Sequence, residues 1–192
     1  MNRLHTQRQL VRILGLSLAL SGALHAATIC TQGANLDIPA TSEGLYLNLL
    51  NGLSGPTEGS VPGFDIDIYT PANASPPGQL KFYWGSASTG GAGVVTAGDA
   101  YAVLGIGQTI GPGSVFSRAA FSGDTSAWQA GASAYLGMRF RNEATAVTNY
   151  GWLLLSTAAP VGFPATIRGW CIEDAGAPIT TPGDSIFVDG FQ

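Results

Sequence analysis

The sequence predicts an all-β fold: a two-sheet antiparallel β-sandwich, jelly-roll-like, with about nine strands. No long segment repeats apolar residues at helical spacing, whereas short segments of alternating polarity recur along the chain. Glycine (27 of 192 residues) and proline (11) punctuate these segments with turns, and charged residues make up only 10% of the chain, too few to clothe several exposed helices.

The chain begins with Arg3, Arg8 and Arg12, continues through the apolar stretch 13–20, and reaches the small residues Ser21, Gly22, Ala23 and Ala26. Basic, apolar and small, in that order, is a secretory signal, with cleavage expected after Ala26 or, alternatively, Ala23. The apolar stretch is far shorter than the ~20 residues that span a bilayer. Ile29 precedes Cys30 where lipid attachment wants a small residue. The expected organisation is a signal at 1–26, a sandwich domain at 27–179, and a linker with a short tail at 180–192, separable from the fold because Pro182 cannot extend a ladder.

Strands are expected at 45–50, 64–69, 79–84, 93–97, 101–110, 115–121, 134–141, 150–156 and 165–172. The segments between them carry turn formers, such as Asn51-Gly52 and Val61-Pro62-Gly63. In 79–84, Leu80, Phe82 and Trp84 face one way and Gln79, Lys81 and Tyr83 the other, so one sheet face is wet there. Residues 150–155 are apolar on both sides, which places that strand centrally. An outer-membrane barrel needs strands of about nine to eleven residues, longer than these. The two cysteines, Cys30 and Cys171, lie near the two ends of the domain. In an exported chain they are expected to form one disulfide, closing a loop that restricts the unfolded state by about 5 kcal/mol.

Charge and histidine content exclude whole classes of function. Beyond Ala26 there remain five basic residues (Lys81, Arg118, Arg139, Arg141, Arg168) against all twelve acidic ones, a formal charge of −7. That is no footprint for nucleic acid or an anionic membrane. His5 and His25 both lie in the expected signal, so the remaining chain has no imidazole for a Ser-His or Cys-His pair or a His-ligated metal. Carboxylate chemistry is what remains. Glu43, Glu58, Glu143 and Glu173 each lie in or beside a turn, and a glycan hydrolase needs two carboxyls converging across a groove.

Three weaker constellations stand out. Asp65 and Asp67 flank Ile66, placing two hard oxygen donors on one face of a strand; they suit a shared Ca²⁺, as do Glu173-Asp174, or simply a solvent-facing strand edge whose charges discourage aggregation. In 134–141, Leu136, Met138 and Phe140 point to the core while Tyr135, Arg139 and Arg141 share the outer face, a platform for an acidic glycan or a hydrated sheet surface. Trp84 and Trp152 belong to apolar faces, whereas Trp128 sits among Asp124, Thr125, Ser126 and Gln129 and is the best exposed candidate for stacking on sugar. The glycines at 105, 107 and 111 miss dinucleotide spacing.

The stretches Phe140-Arg-Asn-Glu143, Asn149-Tyr-Gly-Trp152, Gly162-Phe-Pro-Ala-Thr-Ile167, Gly169-Trp170 and Gly176-Ala-Pro-Ile179, with Gly44-Leu-Tyr-Leu-Asn48 and Val61-Pro-Gly-Phe-Asp65 upstream, resemble the ectodomains of exported bacterial proteins that carry PEP-CTERM sorting tails. The likeness spans about residues 43–180 and implies no catalytic residues. The tail does not match: Ile186-Phe-Val-Asp-Gly-Phe191 resembles instead the Ile-Phe-x-Asp-Gly-Phe ending of exported proteins from Lysobacter-like bacteria, which implies a Gram-negative source. The expectation is an exported, non-catalytic β-sandwich of the cell envelope or extracellular matrix, without cofactor, with a glycan or envelope component as partner. The alternatives are a carbohydrate-binding module and a carboxylate-based glycan hydrolase.

Overall fold

The structure is a computed structural model and describes residues 26–75, 77–85, 93–116 and 123–183. Residues 1–25 of the expected signal and residues 184–192 of the tail lie outside the described residues. In chain order the strands are β1 (Thr28–Ile38), β2 (Leu45–Leu47), β3 (Ser54–Gly55), β4 (Ile66–Tyr69), β5 (Lys81–Tyr83), β6 (Gly93–Val94), β7 (Thr96–Ala97), β8 (Ala100–Tyr101), β9 (Thr109–Ile110), β10 (Ser133–Arg141), β11 (Thr148–Thr157), β12 (Ala165–Glu173) and β13 (Ile179–Thr180). One helical turn, α1 (Ser126–Gln129), precedes β10. The chain is all-β and sandwich-like, and the described strands form no closed barrel. A five-stranded antiparallel sheet, β1-β12-β11-β10-β6, faces a four-stranded one, β3-β2-β4-β5.

The central place of β11 follows from its composition. Leu153 and Leu155 point into the core between the sheets, where Leu47, Ile66, Ile68 and Phe82 meet Leu136, Met138 and Phe140. On its other face Tyr150, Trp152 and Leu154 are also buried, in a second cluster. Antiparallel hairpins on either side, to β10 and β12, satisfy its backbone. In β12 the register slips where Leu154 pairs with Gly169 and Leu155 with Ile167. The slip leaves Arg168 unpaired in a bulge, so both Ile167 and Trp170 reach the inter-sheet core although three positions apart.

The second face of the large sheet is roofed by the segment 95–116 and by β13. Val95, Ile110 and Ile179, joined by Ala102, Leu104 and Phe116, close over Tyr135, Tyr150, Trp152 and Leu154. Gly137 permits this approach: a Cβ there would stand 2.7 Å from Leu104 and 2.8 Å from Val95. The segment expected as one strand, 101–110, divides into β8 and β9 around a turn with Gly107 at φ 68°. Of 115–121, residues 117–121 lie outside the described residues. Strand β1 is absent from the expected set: its first half is exposed and without apolar alternation, which confines the alternating Ala34, Leu36 and Ile38 to a short stretch at its end. The chain remains in the fold beyond Ile179: Thr180 pairs with Thr109, and Thr181, 1% exposed, accepts from the Gln108 N–H at 2.8 Å and donates to the Gly105 carbonyl at 2.9 Å.

Cys30 and Cys171 are bonded, directly opposite one another on β1 and β12, with Cα atoms 4.1 Å apart and a sequence separation of 141. The exposed first half of β1 is therefore held by its ladder and this bridge, while Ala34, Leu36 and Ile38 anchor the second half in the core. The double substitution Cys30→Ser, Cys171→Ser is expected to lower unfolding stability by about 2–5 kcal/mol in denaturant titration. Gly137→Val is expected to cost about 1–3 kcal/mol by forcing the roof off the sheet, read as a lower denaturation midpoint with secondary structure retained.

Candidate functional site

The face formed by Tyr135, Arg139 and Arg141 is not one surface. Tyr135 is 2% exposed, packs edge-on against Trp152 (centroids 5.0 Å), and exchanges backbone hydrogen bonds with Leu104 at 3.0 Å. Burial raises its phenol pKa. Arg139 lies with its guanidinium 4.9 Å from the Phe116 ring centroid, under the roof. Arg141, at the exposed end of β10, alone reaches a groove. Alternation assigned these residues to the correct face, but that face is covered by another layer over most of its length.

Trp128 is also corrected. It is fully buried, edge-on to Phe82 at 6.1 Å. The polar neighbours that made it look exposed are engaged with the backbone and each other: Asp124 takes the Ser126 N–H at 2.8 Å, Thr125 donates to the Leu80 carbonyl at 2.8 Å, and Gln129 donates to Thr125 at 2.6 Å. Polar residues that fix a turn are indistinguishable in sequence from polar residues that face water.

Asp65 and Asp67 are not a solvent-facing edge. Strand β4 lies between β2 and β5, and the two carboxyls are 4% and 2% exposed. Asp67 stands in a row with its cross-strand partners Tyr46 and Tyr83, and the Phe64 ring packs on both tyrosines (4.8 and 5.7 Å). Burial pushes the Asp67 carboxyl up to about 8, with a further contribution from Glu43 and partial offset by the Leu45 N–H. Tyr46 is pushed up to about 12 by burial and the nearby Asp67, Glu43 and Glu58. Asp65 is likewise raised to about 8 by burial and by Glu143, against the lowering effect of the Leu49 N–H that its Oδ2 accepts at 2.7 Å. Among the described residues no group of three or more His, Cys, Asp or Glu side chains is placed to hold a metal ion. Glu173 and Asp174 cap backbone N–H groups instead, those of Ala175 and Ala27.

What the fold does assemble is a groove of about 670 Å³ at one end of the sandwich, lined by Glu58, Val61, Phe64, Asp65, Arg141 and Glu143, among others. The loop 58–65 and the turn after β10 form most of its lining, and buried polar side chains fix both. Asn48, 3% exposed, donates to the Gly63 carbonyl at 2.7 Å and accepts from Leu50 and Asn51. Leu49 is held from both sides, its N–H by Asp65 and its carbonyl by the Trp170 indole at 3.1 Å. In the turn between β10 and β11, Asn142 accepts from the N–H groups of Ala144 and Thr145, orienting Glu143. Gly63, at φ 66°, lets the Glu143 carboxylate lie against the loop; a Cβ there would be 2.7 Å from Oε1. The structure thus brings Asp65, Arg141 and Glu143 to one place and separates them from Tyr135 and Trp128. Asn48 and Asn142 were not anticipated, although a lone amide inside the apolar run 45–50 is the kind of residue that has an internal hydrogen-bonding task.

No family model, curated protein or solved structure matches the chain. None of the described helices is long and apolar enough to cross a membrane.

The two buried aspartates set a pH dependence. An unfolded carboxyl titrates near ~4, so between that pH and the folded value the native state holds a proton the unfolded chain has released. The stability these groups contribute is present below ~4 and lost as pH rises towards the folded pKa of about 8. Thermal unfolding is expected to give a lower Tm near pH 8 than near pH 5, and Asp67→Asn, which keeps the shape without the titrating proton, should narrow that difference and raise Tm at the higher pH.

Proposed function

We propose that this chain works outside the cytoplasm as a non-catalytic β-sandwich of the cell envelope or extracellular matrix, acting through what it binds in the groove. The observation that carries the non-catalytic reading is the engagement of Asp65. Its pKa lies where a general acid's would, yet its Oδ2 is tied to Leu49 and the residue is 4% exposed, so its task is to hold the loop. The other groove carboxylates, Glu58 and Glu143, are exposed and share their space with Arg141. Export is supported by the disulfide of Cys30 with Cys171, a bond that persists in oxidising compartments, and by the signal-like segment 1–26.

A carboxylate-based glycan hydrolase is the second reading, favoured by one observation: Asp65 and Glu143 line the same groove and interact electrostatically. Aryl-glycoside and reducing-end assays over a polysaccharide panel separate the two. No turnover above buffer is expected. Turnover abolished by Glu143→Gln, with the melting temperature unchanged, would establish the hydrolase and overturn the binding-only reading.

A further inference from the structure

We infer that the groove between loop 58–65 and the turn after β10 binds an uncharged, hydroxyl-rich sugar, with Arg141 and Glu143 as its hydrogen-bonding pair and the exposed Pro62 beside the ring. The inference deepens the proposed function and rests on the reading of this groove as a binding site.

Size comes first: about 670 Å³ lies within the range of small-ligand sites. Chemistry narrows the class. Arg141 offers only donors, in a planar fork, and Glu58 and Glu143 offer only acceptors when ionised. A ligand that satisfies both must itself donate and accept at neighbouring positions, which vicinal hydroxyls do. An anion would meet two carboxylates against one guanidinium, on a chain whose formal charge beyond Ala26 is −7. A simple cation would leave Arg141 opposed to it. The exposed apolar part of the lining, at Pro62, suits the C–H side of a pyranose, while Val61 and Phe64 are buried beneath the groove.

The site is also built before any ligand arrives. Asn48 and Asp65 tie loop 58–65 to the segment after β2, and Asn142 fixes the turn after β10, through buried or partly buried hydrogen bonds, and Gly63 leaves the room in which the Glu143 carboxylate lies. Little ordering is then left to oppose binding, which is how a shallow polar groove holds a weakly binding sugar.

The test is calorimetric titration of the oxidised protein with cellohexaose, chitohexaose and maltohexaose, alongside oligogalacturonate and oligoalginate. Binding of at least one neutral oligosaccharide is expected, weakened about ten- to hundredfold by Arg141→Ala and by Glu143→Ala, the loss of a hydrogen bond to a charged group. Arg168→Ala, in the bulge of β12, should leave it unchanged. Arg141 and Glu143 are exposed, so these variants are expected to keep the parent melting temperature. No binding of any neutral oligosaccharide at millimolar concentration, tighter binding of the uronates, or binding indifferent to both groove substitutions would each overturn the inference. Because turnover is measured separately, failure here leaves the non-catalytic reading standing, and turnover there leaves the ligand class standing.

Discussion

Strand β11 is apolar on both faces, and that constraint organises the molecule. A strand with Leu153 and Leu155 on one side and Tyr150, Trp152 and Leu154 on the other cannot face water on either. It must lie inside a sheet with two covers. The four-stranded sheet is one cover. The other is improvised from short pieces, β7 to β9 and β13, whose isolated bridges, such as Leu104 to Tyr135, are sufficient because Gly137 lets them settle close. The result is a sandwich with a partial third layer, and that layer removes Tyr135 from the surface and half-covers Arg139.

Polar groups inside this fold act as fasteners for loops. Asn48, Asp65, Asn142 and Trp170 each reach a backbone group on a separate segment or turn, and together they fix the end of the sandwich where the groove opens. A buried carboxyl is costly when ionised, and Asp65 and Asp67 meet that cost by titrating near neutrality. The consequence is a fold coupled to pH in part through Asp65, a residue that lines the groove.

The sequence was informative wherever one residue's environment is dictated by its immediate neighbours. The double-sided apolar run of β11, the inward set Leu136, Met138 and Phe140, and the inward Leu80, Phe82 and Trp84 all lie where alternation placed them. It was misleading wherever polarity had two possible uses. Trp128 looked exposed because its neighbours are polar, and Asp65 and Asp67 looked solvated because they are charged. In each case the polar atoms, or the burial that silences them, answer to residues distant in the chain. Strand β1 escaped notice because its first half, held by its ladder and the disulfide, is exposed, which leaves only the short alternating stretch 34–38.

Sequence by itself determined the all-β class, the central strand, the pairing of Cys30 with Cys171 as the two cysteines beyond the signal-like segment, and the acidic, histidine-free character of the chain after Ala26. These follow from composition and period-two patterning, which are local quantities. Tertiary structure alone decided which sheet face is roofed, which carboxyls are buried, and that Arg141, Glu143 and the loop 58–65 share a groove. Such facts depend on the register and stacking of strands far apart in the chain, and a side chain's solvent, partner and protonation state are set by what that stacking brings against it.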